Sequence, residues 1–187
     1  MSRYILGIHG GHDATAVLIK DDEIVEAMSE ERLTGYKKYQ GFPYKSIAYI
    51  KDKYKIQSFD LVVVVGENLN IQGFILFSEK DNEELRKRGS LKMNAFYRGI
   101  SLRWPIISKV LSIRDRFLIW KANKGTAKKI QSVLDQQFPN TEIVHLHHHL
   151  AHAWAGVPFM KDVTKKHLML TLDGAGDDAS GSIGVFD

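Results

Sequence analysis

Apolar residues along this chain come in short blocks, and most of the blocks fit strands. Tyr4-Ile5-Leu6-Gly7-Ile8-His9 predicts a first strand and Ala14-Thr15-Ala16-Val17-Leu18-Ile19 a second. Glu23-Ile24-Val25-Glu26-Ala27-Met28 predicts a third, alternating with a period of two. Gly10-Gly11-His12-Asp13 and Asp21-Asp22 are the turns between them. Glu30-Glu31-Arg32-Leu33-Thr34 leads into a polar loop, Gly35 to Gly41, in which Lys37 and Lys38 read as solvated. Pro43 suits the first turn of a helix running to about Tyr54, with Ile47, Ile50 and Tyr54 spaced three and four apart. Asp60-Leu61-Val62-Val63-Val64-Val65 is a continuous β-branched run, the pattern of a strand buried on both faces.

The second half continues the alternation of strand and helix. Asn123 to Phe138 reads as a helix with Ile130, Val133, Leu134 and Phe138 on one face, ended by Pro139-Asn140. Thr141 to Leu146 is a strand, and a helix starts near His147. His167 to Asp173 is a strand, Gly174-Ala175-Gly176-Asp177-Asp178 a turn, and Ala179 to Phe186 a further strand. Between about Gly66 and Trp120 the pattern predicts several short helices mixing aromatic and aliphatic residues with Arg and Lys.

Charge sharpens the reading of that middle stretch. From Arg86 to Lys129 thirteen Lys or Arg face one acid, Asp115, so this segment carries +12 while the whole chain carries +4 and the remainder −8. Such a segment can meet a membrane surface, a nucleic acid or an anionic substrate. The favoured reading is a helical insertion that packs its apolar face and solvates its charges, with nucleic acid not an expected partner. Hydrophobic residues at 44% and charged residues at 26% are ordinary for a soluble globular protein, and 187 residues suffice for one large domain or two small ones. There is no cysteine, which excludes disulfides and thiolate ligands; a metal would have to use His, Asp, Glu or water. No apolar stretch is long enough to span a bilayer. The opening Met1-Ser2-Arg3 and glycine-broken strand lack the pattern of a signal peptide, and a cytoplasmic protein is expected.

Five of the eight histidines lie between His145 and His152. If the helix starts near His147, His148 and His152 project four apart from one face, a spacing that suits one transition metal. His145 and His149 have the same spacing, but His145 belongs to the preceding strand. The competing reading is a histidine-rich helix start with solvated rings.

An internal repeat adds to this. Gly11-His12-Asp13-Ala14-Thr15-Ala16 matches Gly176-Asp177-Asp178-Ala179-Ser180-Gly181, and each follows one apolar strand and opens another. Three strands, then helix-strand-helix-strand-helix, then a second such hairpin, is the order of an α/β fold of the actin, hexokinase and Hsp70-like ATPase type. There, two ribonuclease H-like halves face each other. On that reading residues 1–160 are the first half, with a basic helical insertion at about 67–121, and residues 161–187 are the truncated start of the second. The two turns would hold a nucleotide's phosphates through backbone N–H groups, with Gly10, Gly11, Gly174, Gly176 and Asp177 as the binding residues. Asp13 and Asp173 would lie near a shared cleft, where a carboxylate can hold a cation or its water.

Three local patterns then resemble one family. The Gly11–Ala16 segment resembles the Gly-x-His-Asp-x-Ser-Ala opening of the O-carbamoyltransferases of antibiotic tailoring and nodulation-factor decoration. Glu30-Glu31-Arg32-Leu33-Thr34 with Gly41-Phe42-Pro43 is similar to their Glu-Glu-Arg-Phe-Thr and Phe-Pro segment. His148-His149-Leu150-Ala151-His152-Ala153 with Leu172-Asp173-Gly174-Ala175-Gly176-Asp177 is similar to their His-His-x-x-His-Ala and Asp-Gly-x-Gly-Asp pair.

The resemblance implies that carbamoyl phosphate and ATP form carbamoyladenylate in a separate C-terminal domain. The carbamoyl group then passes to a small-molecule hydroxyl at a metal site in the ATPase-like domain. It implies a divalent metal, iron first, held by His148, His152 and Asp173, with a further acid from beyond this chain's end. His12, with Asp13 beside it, is the catalytic candidate, since a neutral imidazole can take the acceptor's proton near working pH. Family members run to several hundred residues, so this chain is expected to need a missing C-terminal half or domain and to be inactive alone. Two rivals remain. One is a tRNA threonylcarbamoyl-transfer-like protein, which the basic segment favours. The other is a non-catalytic nucleotide- or metal-binding module that needs a partner chain.

Overall fold

The computed structural model describes residues 2–11, 13–66, 126–176 and 179–186. His12, Asp177 and the basic segment at about 67–121 lie outside the described residues. Five strands form one mixed sheet: β1 (Tyr4–His9), β2 (Thr15–Lys20), β3 (Glu23–Ser29), β4 (Leu61–Val65) and β5 (Glu142–Leu146), in the order β3-β2-β1-β4-β5. β1, β4 and β5 run parallel, and β2 and β3 join antiparallel on one side. The described helices are α1 (Glu30–Thr34), α2 (Tyr44–Tyr54), α3 (Thr126–Gln137) and α4 (His148–Gly156), and a 3-10 turn, Val157–Phe159, extends α4. β6 (His167–Gly176) and β7 (Ala179–Phe186) form a separate antiparallel hairpin. The expected α/β class is therefore found, and no described helix is long and apolar enough to cross a membrane.

Register explains the core. Leu6 stands opposite Leu18 and Val62, and Ile8 opposite Ala16 and Val64, so these six side chains share one face of the sheet. Ile47 and Ile50 of α2 and Ile130 and Leu134 of α3 pack into the same cluster with Phe42, Phe59 and Phe138. Each fully buried Leu, Ile or Phe stabilises the fold by about 1.5–3 kcal/mol relative to exposure. Val62 and Val64 are wholly buried, but Leu61, Val63 and Val65 are only half-buried. β4 was expected to be covered on both faces. It is covered fully on one, because among the described residues α2 and α3 both contribute to the same side of the sheet.

The turns follow from local chemistry. Asp21 and Asp22 both have positive φ, 49° and 70°, as a two-residue hairpin turn between Lys20 and Glu23 requires. The Asp21 carboxylate accepts the Arg3 N–H at 2.8 Å, and this backbone hydrogen bond is the largest cause of its lowered pKa. α1 was not expected. It ends at Gly35, whose φ of 75° needs the left-handed region, and whose N–H donates to the Glu31 carbonyl.

A pH dependence arises on the β3–α2 side. The Lys53 ammonium donates to the Glu26 carboxylate and the Tyr54 hydroxyl lies 3.2 Å from it, holding Glu26 below its usual value of 4.5, the Lys53 bond first. The stabilisation is therefore complete above about pH 4.5 and is lost as pH falls through the lower folded value. Glu26→Gln is expected to lower the urea midpoint slightly at pH 7 and to leave it unchanged near pH 2, the effect being small because Lys53 is 46% exposed. An equal effect at both pH values would detach the stabilisation from the carboxylate's charge.

Candidate metal centre

Because β1, β4 and β5 are parallel, their C-terminal ends, His9, Val65 and Leu146, share one edge of the sheet. The turn after β1 and the start of α4 both leave from this edge, which is where open α/β sheets place ligands. Gly10 and Gly11 are buried in that turn, and the Gly11 carbonyl accepts the Gly41 N–H at 3.3 Å. Asp13 is exposed, with a left-handed φ of 58°, and its carbonyl accepts the Thr15 hydroxyl at 2.8 Å.

His147 sets the start of α4. Its backbone is extended, and its Nδ1 accepts the His149 N–H at 3.2 Å, so an imidazole acts as the helix N-cap. The helix consequently begins at His148, and His148 and His152 share a face. β6 lies against α4 and brings Asp173 to that face. His148 Nε2 is 2.7 Å from Asp173 Oδ2, His152 Nε2 is 3.0 Å from His148 Nε2, and His152 Nε2 is 3.6 Å from Asp173 Oδ2. The three are the described group of His, Asp and Glu donors able to hold a metal, and they mix a half-buried His148 with exposed His152 and Asp173. Asp13 does not belong to this group.

One proton at His148 Nε2 serves two neighbours here and makes no full hydrogen bond to both. A neutral imidazole nitrogen is either a donor or an acceptor. If His148 Nε2 donates, its one proton is shared between Asp173 Oδ2 and His152 Nε2; if it accepts from His152, its lone pair faces the carboxylate. One divalent cation would satisfy all three atoms at once. Metal–ligand bonds of about 2.1 Å at right angles place neighbouring donors about 3.0 Å apart, and the observed separations bracket that value. Two imidazoles and a carboxylate are a donor set that would leave positions open for substrate if a cation were bound.

The other histidines have different places. His145 lies on β5 on the core side, opposite Val64, its buried Nδ1 without a hydrogen bond among the described residues, and the His145–His149 pair is not brought together as a site there. His149 is 1% exposed, not solvated. Gly174 and Gly176 fall inside the irregular end of β6, past the shift in register after Leu172, rather than in a separate turn. On the other side of α4, Leu150, Trp154 and Val157 face Met169, Gly184 and Phe186 across an apolar cavity of about 330 Å³. Trp154 and Phe186 meet edge to face at 5.7 Å. The outer face of the hairpin carries Leu168, Leu170, Leu172, Ile183 and Val185, each more than 60% exposed.

Comparison with known proteins agrees with the fingerprint segments. A family model described as carbamoyltransferase N-terminus matches residues 4–187. The nodulation protein NolNO of Sinorhizobium fredii is 26% identical over 178 residues, 93% of this chain and 21% of that protein. An uncharacterized protein of Methanocaldococcus jannaschii is 53% identical over 62 residues, 33% of this chain and 12% of that protein. The chain thus spans about a fifth or less of the length of these curated relatives. With the family model covering all but its first three residues, the chain belongs to the carbamoyltransferase N-terminal family.

Proposed function

We propose that this chain is the acceptor-side, N-terminal part of an O-carbamoyltransferase, with His148, His152 and Asp173 holding a divalent cation, iron by family resemblance. The observation that carries the reading is the convergence of three potential ligand atoms within 3.6 Å of one another. The strand order β3-β2-β1-β4-β5 supports a ribonuclease H-like half of the actin, hexokinase and Hsp70 type, followed by the opening hairpin of a second half. Gly10, Gly11, Gly174, Gly176 and Asp177 are then the contacts to a nucleotide's phosphates.

In the transfer step the acceptor oxygen bonds to the carbamoyl carbon of carbamoyladenylate, the bond from that carbon to the phosphate oxygen breaks, and AMP leaves with the electron pair. The acceptor's proton passes to a base, for which His12 is proposed, with Asp13 next to it. A bound divalent cation supplies Lewis acidity toward the carbonyl and screens the phosphate. His148 and His152 would each offer one ring nitrogen to it, and Asp173 a carboxylate oxygen. The outer face of β6–β7 is the surface on which further polypeptide of the whole protein packs.

The test uses the protein at the full length of its relatives, with carbamoyl phosphate, ATP and a panel of sugar and antibiotic alcohols. His152→Ala is expected to leave carbamoyladenylate formation intact and to lower transfer to the alcohol by about 100-fold or more, the scale of removing a transition-state charge stabiliser. Unchanged transfer would remove the triad from the reaction. Carbamoyl transfer by the 187-residue chain alone would overturn its reading as a part. Retention on tRNA with a steep salt dependence would favour the threonylcarbamoyl-transfer alternative instead.

A further inference from the structure

His149 sits between the two proposed ligands in sequence, yet its chemistry is directed elsewhere. Its Nδ1 lies 2.9 Å from the Thr171 hydroxyl of β6. That hydroxyl is 2.8 Å from Ser182 Oγ of β7 and accepts the Ser182 N–H at 3.1 Å. His149 and Thr171 are both buried, at 1% and 8% exposure. A polar chain thus crosses from helix to hairpin through the interior, where an unmade hydrogen bond is costly.

Its position coincides with the donor triad on both sides. His149 directly follows His148, and its ring packs on both proposed ligand rings, at centroid distances of 5.5 Å from His148 and 6.3 Å from His152. Thr171 stands two residues before Asp173, so both side chains leave β6 toward α4. A helix sliding by one residue rise, about 1.5 Å, would break the His149–Thr171 bond and the 2.7 Å approach of Asp173 to His148 together. Of the contacts described between α4 and the hairpin, this is the buried polar one, and polar pairing fixes register where apolar packing tolerates slip.

We propose that His149, acting through Thr171 and Ser182, is a positioning residue that sets the register of α4 on the β6–β7 hairpin and so holds Asp173 against His148 and His152. The proposal rests on the metal-site reading above. It assigns a role to the second histidine of the His148-His149 pair, which is not itself one of the three converging donors.

The experiment titrates the metal-free protein at the full length of its relatives with Co²⁺, reading affinity by competition and geometry by the visible spectrum, alongside thermal unfolding without metal. Two pairs separate hydrogen bonding from bulk. Thr171→Val and His149→Leu lose the bond; Thr171→Ser and His149→Asn keep a bonding atom in its place. The bond-losing variants are expected to bind Co²⁺ about 10–100-fold more weakly, with an altered spectrum, as when outer contacts of metal ligands are removed. The bond-keeping variants are expected to stay within about threefold of the unaltered chain, on the same scale. Wild-type affinity and spectrum in a folded Thr171→Val or His149→Leu would overturn this inference alone. No Co²⁺ binding by the unaltered full-length protein would overturn the metal reading and this inference with it. Failure of both bond-losing variants to fold would assign the network to folding and overturn the positioning role.

Discussion

His148→Ala is expected to lose bound metal almost completely. Purified beside it, the unaltered chain is expected to carry close to one divalent metal. The magnitude follows from the donor set. With three protein ligands, removing one leaves two, and the remaining pair would be His152 and Asp173 at 3.6 Å, the longest separation of the three. His148 is also the hub, contacting both other donors at 2.7 and 3.0 Å. Affinity should fall by about 100-fold or more, the upper end of what even outer-contact mutations cost. Asp173→Asn should have a similar effect by removing the negative charge, since an amide oxygen is a weaker ligand than a carboxylate for this cation class. Elemental analysis of the monomer peak reads both. The control is His145→Ala, because His145 faces the core from β5 and lies outside the triad. Equal metal in the unaltered chain, His148→Ala and Asp173→Asn would mean the metal sits elsewhere; none in any of them would mean the three donors alone do not hold it.

Strands were legible because their signals are local. β1, β3, β4, β5 and β7 fall within a residue or two of the apolar blocks, and the Asp21-Asp22 turn carries its own chemistry. The His148–His152 pair was legible for the same reason, since helical spacing is written in the chain once the start of α4 is placed. What brings Asp173 beside that pair is the packing of β6 on α4, a tertiary contact with no local signal; the family resemblance supplied it. The burial of His149 was missed, because five clustered histidines read as a wet helix start. One clue was present: Met169, Thr171 and Asp173 recur with a period of two, the inward face of a strand that could receive a helix. α1 was missed because a five-residue helix has no apolar period to display.

Glu30 shows how a family fingerprint can be structural. Its carboxylate is 1% exposed and accepts the Lys45 N–H at 2.9 Å, the Ser46 N–H at 2.8 Å and the Ser46 hydroxyl at 2.6 Å. Lys45 and Ser46 are the second and third residues of α2, and Pro43 before them gives that helix no side-chain cap. Glu30 is thus the N-cap of α2, delivered from α1 sixteen residues earlier in the chain, with its negative charge at the positive end of the helix. Glu30→Ala leaves two backbone N–H groups and a hydroxyl buried without this acceptor, at about 1–3 kcal/mol for each group left unmade. Loss of about 3–5 kcal/mol is expected from the three hydrogen bonds together, read as a lower urea midpoint with an unchanged slope. Glu30→Gln keeps one acceptor oxygen but turns N–H groups toward donors, so it should fall between Glu30→Ala and the unaltered chain. Ser46→Ala removes one donor and its share of the network, and should cost about 1 kcal/mol. Co²⁺ affinity of whatever Glu30→Gln folds should match the unaltered chain, because the cap lies on α2 and the triad on α4 and β6. Wild-type stability in Glu30→Ala would show that the Glu-Glu-Arg segment does not hold α2 in place, and that its likeness to the family reflects contact with a ligand instead.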